Sequence, residues 1–231
     1  METTGLSGMQ RLAELGVSVE IIAHALRRAD SAADGCTALD PPILQGLLRW
    51  ARTTRYLREQ LVPAGWSFDN PRNLARTIHP SGEFAVVIAT GDEQTGRPDV
   101  AAGPRHPRGY ATEQAVTANT QLAFDFGSLL QVTRTGQAAG LNPLRTWLLL
   151  FAADERDFHV ELSMPQAYED GRITAWTERI LLPPIPRYPA AAAVPPAGLV
   201  LPEPQVLQVP VDRAELPVRV GAAGGFPGGS A

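Results

Sequence analysis

The stretch that decides the fold is ARTIHPSGEFAVVIA, at residues 75–89. Two runs rich in apolar and β-branched residues, 75–79 and 83–89, are separated by the turn formers Pro, Ser and Gly at 80–82. Proline and glycine supply the backbone angles of a tight turn, so two such runs around them are typical of a β-hairpin. The sequence therefore predicts a pair of antiparallel strands at this point.

A long helix is predicted on the N-terminal side of this hairpin. Asp40 and Pro41 supply an N-cap and a first-turn proline, and helical periodicity continues to about residue 62. One stripe of apolar and small residues recurs at steps of four and three, which keeps these side chains on one face. We expect this whole face to be buried. Its members are Ile43, Leu47, Trp50, Thr54, Leu57 and Leu61.

Two shorter helices are predicted before the long one. Gly16 is placed to end the first helix in the left-handed conformation that glycine tolerates, and Ser18 is placed to cap the second. The second helix spans about residues 19–32 and has apolar residues on one side. Two helices joined by a tight turn follow from this pattern.

On the C-terminal side of the hairpin, the pattern predicts one more helix and three more strands. Residues 111–122 are expected to be helical, and residues 146–152 and 157–164 are expected to form a second hairpin. A further strand is predicted at 172–182. An antiparallel sheet covered by helices is the simplest assembly of these elements.

The predicted fold class is therefore α+β, with N-terminal helices packed on an antiparallel β-sheet. We assign residues 1–66 to a helical N-terminal segment and residues 67–185 to an antiparallel β-rich region with one helix. Residues 186–231 are rich in Pro, Ala and Gly. Such a composition lacks the apolar density of a core, and it predicts a disordered, flexible C-terminal tail.

Composition excludes several classes of function. All 20 cationic side chains are arginine, and a chain without lysine has no Walker A loop, no Schiff-base lysine and no Ser-Lys nucleophile pair. Cys36 is the single cysteine, which excludes an internal disulfide and a multi-cysteine zinc site. No apolar run approaches the ~18 residues of a membrane span. We expect a cytoplasmic protein with no membrane partner and no cofactor.

The helix, glycine, helix arrangement around Gly16 resembles a helix-turn-helix motif, in which the second helix enters the major groove of DNA. In that interpretation the second helix presents His24, Arg27 and Arg28 to the bases and phosphates. Antiparallel helix pairs in ordinary bundles have the same glycine turn and N-capping residues. Packing within the fold is therefore the alternative interpretation of this segment.

A second candidate surface is the arginine face of the long helix, opposite its apolar stripe. Arginines at steps of three residues move slowly around the helix and stay on one half of it. This face can bind phosphate or an acidic protein surface, and the alternative is a solvated helix surface. The residues concerned are Arg49, Arg52, Arg55 and Arg58.

Two further constellations carry chemistry-bearing side chains. His159 and Glu161 alternate on one predicted strand and point to one face, and a His-x-Glu pair is part of some non-haem iron sites. Such a site needs a second histidine, which the sequence does not select, and a solvent-facing polar stripe or a cross-strand contact is the alternative interpretation. Asp92 and Glu93 follow the strand at 83–89 in a glycine-bounded loop, where a cation site or a polar turn are the alternatives.

Several stretches resemble a family of uncharacterised proteins of high-GC bacteria. They are residues 40–66, the Asn-Pro-Arg-Asn-Leu at 70–74 with the chain to Asp92, and residues 176–183. The resemblance covers roughly residues 40–185. It implies no activity and no site residues.

The sequence predicts an accessory or interaction protein that binds a protein partner. A non-enzymatic role is favoured over an enzymatic one. One alternative is a DNA-binding regulator that uses the N-terminal helices, which makes nucleic acid the other candidate partner. A second alternative is a metal-dependent hydrolase or an oxygenase-like enzyme built around His159 and Glu161.

Overall fold

The structure is a computed structural model, and it describes residues 1–125 and 144–188. Four α-helices lie in the described residues: α1 (Gly5–Glu14), α2 (Val19–Ala33), α3 (Leu44–Leu61) and α4 (Tyr110–Asp125). The strands are β1 (Glu2–Thr3), β2 (Ser67–Asp69), β3 (Arg76–Ile78), β4 (Phe84–Thr90), β5 (Arg145–Ala153), β6 (Asp157–Glu169), β7 (Arg172–Leu181) and β8 (Ile185–Pro186). Two short 3₁₀ turns, Val62–Ala64 and Pro71–Asn73, flank β2. The α+β class is confirmed.

The strands form one mixed sheet in the order β1-β7-β6-β5-β4-β3-β2, and β8 pairs with β6. Both predicted hairpins are present, because β3 and β4 are antiparallel and so are β5 and β6. The expectation of a purely antiparallel sheet needs a correction, since β4 and β5 are parallel and so are β1 and β7. A parallel pair needs a crossover connection, and the chain between β4 and β5 contains α4.

The two central strands are buried on both faces, which explains their continuous apolar sequences. On one face, Val86 and Ile88 of β4 pack in a core with Leu149 and Phe151 of β5 and with the N-terminal helices. On the other face, Val87 and Ala89 of β4 pack in a smaller core with α4. The sheet therefore separates a helical layer made by α1, α2 and α3 from a layer made by α4.

The turn between α1 and α2 forms as the sequence predicts. Gly16 has a φ of +69°, which is the left-handed region, and the Ser18 side chain accepts a hydrogen bond from Ile21 N at 3.3 Å. α2 then packs along α3, and α1 packs on β7. Helices at the N-terminus thus pack on the sheet.

The long helix differs from its prediction at its start. α3 begins at Leu44, and Asp40 accepts a hydrogen bond from Thr37 N at 2.8 Å, so Asp40 closes a turn before the helix and does not cap it. The C-terminal half of the expected stripe is buried, at Thr54, Leu57 and Leu61. The N-terminal half is not.

No helix within residues 1–125 and 144–188 has the length and apolar content to cross a membrane. Most of the predicted tail, residues 189–231, lies outside the described residues. Its first residues are bound to the fold, because Pro186 of β8 pairs with Asp157 and Arg187 Nε donates to Asp30 Oδ2 at 2.8 Å.

Candidate functional site

The proposed DNA-reading residues of α2 lie along one cavity, and two of them are bound to the protein's own chain. Arg27 Nε donates to the carbonyl oxygen of Pro186 at 2.8 Å. The Arg28 guanidinium lies 4.1 Å from the centre of the Tyr56 ring and forms an ion pair with Glu59 at 3.4 Å. His24 is exposed. This side of α2 is thus hydrogen-bonded to β8 through Arg27 and Pro186.

The arginine face of α3 is also engaged largely within the fold. Arg49 Nε binds Asp30 Oδ1 at 2.7 Å, and Arg55 Nε binds the Glu59 carboxylate at 2.7 Å. Arg58 donates to Asn70 Oδ1 at 3.0 Å and so ties α3 to the loop after β2. Arg52 has no hydrogen bond or ion pair from its guanidinium within the described residues.

The predicted metal pair of β6 is brought to one side of the strand, but its two members have different partners. Glu161 is fully buried, accepts from Arg179 Nη2 at 2.6 Å and accepts from Gly96 N at 3.0 Å. His159 Nε2 lies 2.8 Å from Asp154 Oδ2. In the part of the chain that the structure describes, no group of three or more His, Cys, Asp and Glu residues is arranged to hold a metal ion.

The loop after β4 is organised by the Asp92 carboxylate. It accepts hydrogen bonds from Gln94 N at 3.0 Å and from Gly103 N at 2.8 Å. These contacts make Asp92 the internal clamp of a polar turn. His79 packs between Trp66 and Phe84 at the opposite end of β4 from Asp92.

A groove that the sequence did not reveal lies between the first turns of α3 and the loop at 104–108. β3 covers β4 only as far as Val87. Beyond that point, Trp50 Nε1 of α3 donates to Ile88 O at 3.0 Å, and Arg105 N donates to Thr90 O at 2.9 Å. The edge of β4 is therefore covered from two sides, and the space between them stays open.

We call this space the α3 groove, and it has a volume of about 440 Å³. One wall is apolar and belongs to α3 and the residue pair before it. Ile43 is 75% exposed and Leu47 is 49% exposed, although both belong to the stripe that the sequence predicts to be buried. The lining residues are Pro42, Ile43, Gly46, Leu47, Trp50, Thr90, Arg105, His106 and Arg108.

The opposite wall of the α3 groove is basic. The guanidinium groups of Arg105 and Arg108 have no hydrogen-bond acceptor or carboxylate partner among the described residues. Burial lowers the pKa of Arg108 from its usual value, because the charged form loses water, and the nearby Tyr168 only partly opposes this effect. No carboxylate among the described residues therefore offsets the loss of water around this cation.

A second, polar cavity of about 210 Å³ adjoins the α3 groove, and the two share Thr90 and Arg105. It lies at the carboxyl ends of the parallel strands β4 and β5, where α/β sheets commonly bind ligands. We call it the polar cavity. Its charged and titratable lining residues are Arg49, Asp92, Glu93, Arg97, Arg105, Asp154 and His159.

The Asp154 carboxylate in this lining is committed to its own turn. It accepts from Arg156 N and from Asp157 N, both at 2.8 Å, and contacts His159. The backbone N–H of Asp157, followed by His159 and Arg156, holds the pKa of Asp154 well below its usual range. Asp154 therefore stays ionised while its lone pairs are occupied.

Sequence reasoning missed both spaces for two reasons. The stripe of α3 predicts burial along its whole length, and the loop after β4 offers only Asp92 and Glu93 as candidate site residues. The available signal was the basic run Pro-Arg-His-Pro-Arg at 104–108, whose prolines restrict the backbone that carries two arginines and a histidine. Comparison of the chain with known protein families, curated proteins and solved structures gives no match.

Proposed function

We propose that this chain is a non-enzymatic interaction protein that binds an acidic, apolar segment of a partner protein in the α3 groove. The observation that carries the proposal is the pairing of two walls. Exposed apolar side chains of α3 face arginines that have no counter-charge within the described residues. Contiguous exposed apolar surface next to such polar groups is typical of interaction sites.

The apolar wall supplies the contact area of this interaction. Ile43 and Leu47 lie one helical turn apart, and Trp50 follows on the same side with its ring partly buried. Peptide-binding grooves of other proteins use such spacings to hold apolar anchor side chains, and tryptophan and arginine are enriched among the residues that dominate binding energy.

Gly46 supports the same interpretation, because the protein's own packing does not require it. Glycine inside a helix costs about 0.5–1 kcal/mol relative to alanine. A Cβ atom built on Gly46 would meet no heavy atom within 4 Å. The fold therefore leaves the helix backbone open in the apolar wall of the groove, where a partner segment can approach closely.

The basic wall selects the charge of the partner. Arg105 and Arg108 offer planar, forked donors that bind carboxylates in a bidentate manner. Complementary charge also guides encounter and excludes basic partners. An acidic segment that inserts apolar side chains satisfies both walls, whereas duplex DNA offers phosphates for the basic wall and nothing for the apolar wall.

The test uses the full chain and a display library of random peptides of about twelve residues, which are long enough to present apolar anchors at positions i, i+4 and i+7. Selected peptides are synthesised with a fluorescent label and titrated by anisotropy. We expect enriched sequences to combine Asp or Glu with large apolar residues. Leu47→Gln and Arg108→Gln should each lower their affinity by about tenfold or more, and added salt should weaken binding.

Arg52→Gln is the matched control. Arg52 lies on α3, as Leu47 does, but it lines neither the α3 groove nor the polar cavity described above. The affinity of this variant for the selected peptides should equal that of the wild type. The proposal is wrong if the enriched peptides are not acidic and apolar, or if they bind the two groove variants as tightly as the wild type. Circular dichroism melts of each variant separate lost binding from lost folding.

Nucleic acid is the other outcome that this experiment can give. The same proteins are titrated with a duplex of mixed sequence at low and at physiological salt. Salt-dependent duplex binding that falls in Arg108→Gln and is unchanged in Leu47→Gln would replace the peptide proposal with a DNA-binding one. Our proposal places the interaction in the cytoplasm, where a chain with Cys36 as its one cysteine needs no disulfide.

A further inference from the structure

The polar cavity has the size and the donors of an anion site. Its volume of about 210 Å³ is several times the ~30 Å³ share of one water in the liquid. Arg97 and Arg105 both line it, and neither guanidinium has an acceptor or a carboxylate partner within residues 1–125 and 144–188. Two forked donors therefore border one small space.

A third guanidinium, that of Arg49, is fixed at the edge of this cavity. Its Nε binds the buried carboxylate of Asp30 at 2.7 Å. Arg187 binds the same carboxylate, also at 2.7 Å. The single carboxylate thus forms ion pairs with two arginines, and the group of Asp30, Arg49 and Arg187 carries a net charge of +1.

The acidic residues of the lining do not take up these donors. Asp92 and Asp154 accept hydrogen bonds mainly from backbone N–H groups of their own loops. Glu93 is exposed, and its side chain has no ion pair within the described residues. Three arginines and three carboxylates in the lining cancel in formal charge. The case for an anion therefore rests on the arginine donors, because Asp92 and Asp154 are already bound to backbone N–H groups and, among the described residues, Glu93 forms no ion pair with the arginines.

We infer that the polar cavity is a binding site for a phosphoryl group, held by Arg97 and Arg105 with Arg49 beside them. The forked guanidinium matches the geometry of phosphate oxygens, and its hydrogen bonds to an ionised acceptor are about twice as strong as neutral ones. This site goes beyond the proposed peptide groove, and it does not depend on that groove. The phosphoryl group is supplied either as a free ion or on a side chain of the segment bound in the groove.

The first arm of the test titrates inorganic phosphate into the full chain by isothermal titration calorimetry and thermal shift. We expect binding with a Kd on the order of 1 mM or below, which corresponds to a few charge-assisted hydrogen bonds. Arg97→Gln should weaken it by about tenfold. Arg52→Gln should leave it unchanged, because Arg52 lines neither the polar cavity nor the α3 groove. Arg97 is exposed, so its substitution leaves the fold intact.

The second arm separates the two sources of the phosphoryl group. A peptide selected for the groove is made with serine or phosphoserine at each position in turn. A phosphoserine that raises affinity in the wild type but not in Arg97→Gln identifies the segment as the source. Equal affinities of both forms, together with phosphate binding in the first arm, identify the free ion.

The inference is overturned if phosphate does not bind the wild type at about 10 mM, or if Arg97→Gln binds it as the wild type does. Failure of the peptide groove is recognised separately. In that case Arg108→Gln and Leu47→Gln do not change the affinity of any selected peptide. Phosphate still binds the wild type, and Arg97→Gln still weakens that binding. Arg105 is not varied alone, because it lines both spaces.

Discussion

The two halves of α3 have the same sequence pattern and different surroundings. Leu57 and Leu61, in the C-terminal half, are each 1% exposed and belong to the main core. Leu47, at the same 4-3 spacing in the N-terminal half, is 49% exposed. Periodicity indicates which face of a helix is apolar, but it does not indicate where along the helix that face meets a partner.

The difference follows from what each half meets. The C-terminal half lies between α2 and the sheet, where Leu26, Ile88 and Trp66 belong to the same core. The N-terminal half faces the loop at 104–108 across the α3 groove. Burial of a leucine stabilises a fold by about 1.5–3 kcal/mol, and in the function proposed above the N-terminal half gains this energy from a bound segment.

The largest expected effect in this comparison is that of Leu57→Ala. The substitution should lower the free energy of unfolding by about 2–5 kcal/mol, because it removes buried methyl groups and leaves a cavity. Urea denaturation measures the change. Peptide binding to the groove should be unaffected in the folded fraction. A cost below about 1 kcal/mol would show that the C-terminal half is as open as the N-terminal half.

The junction between the two halves depends on Asp30, whose carboxylate binds Arg49 of α3 and Arg187 after β8. Asp30→Ala should cost about 2–3 kcal/mol, somewhat less than a fully buried pair, because the two arginines keep a little contact with water. Glu59→Ala is the control. Its arginine partners are exposed, so it should cost less than about 1 kcal/mol in the same denaturation experiment.

Trp50 lies at the boundary, partly buried and bonded through Nε1 to Ile88 O. Trp50→Phe keeps an aromatic ring and removes this donor, which leaves a strand carbonyl without its partner. We expect a loss of about 1–2 kcal/mol in stability, together with weaker peptide binding in the groove. Loss of only one of these properties would assign Trp50 to one half of the helix and contradict its place between them.

Gly46→Ala should act in opposite directions on stability and binding. Alanine is the better helix former and has space for its Cβ atom, so stability should rise by about 0.5 kcal/mol. The added methyl group projects from the apolar wall of the groove and should weaken peptide binding. A thermal melt and an anisotropy titration of the same sample test both signs. A rise in stability with unchanged binding would place the peptide elsewhere.

Much of the fold follows from local rules. The turn at 80–82 and the turn at 153–156 each separate two extended runs, and both hairpins form. Gly16 and Ser18 set the turn between α1 and α2 through their own backbone and side chain. Such features depend on residues that are close in sequence, so a single chain is sufficient to predict them.

The remaining features depend on contacts between distant residues. The parallel pairing of Val86 with Trp147 joins strands that a crossover separates, and no local pattern encodes it. Glu161 looks like a solvent-facing strand residue, yet Arg179 and Gly96 bury it completely. The candidate site also depends on residues that are distant in sequence, because the α3 groove lies between the loop at 104–108 and the first turns of α3.

The smallest expected effect on stability is that of Leu47→Gln, and it is the sharpest test of the comparison. Leucine and glutamine have similar helix propensities, and the side chain is half exposed, so the free energy of unfolding should change by no more than about 0.5 kcal/mol. Peptide affinity should nevertheless fall by about tenfold. Leu57→Ala should show the reverse, with lost stability and preserved binding. If Leu47→Gln instead costs more than about 1 kcal/mol without affecting binding, the stripe is covered in solution along its full length, and the two halves of α3 are equivalent.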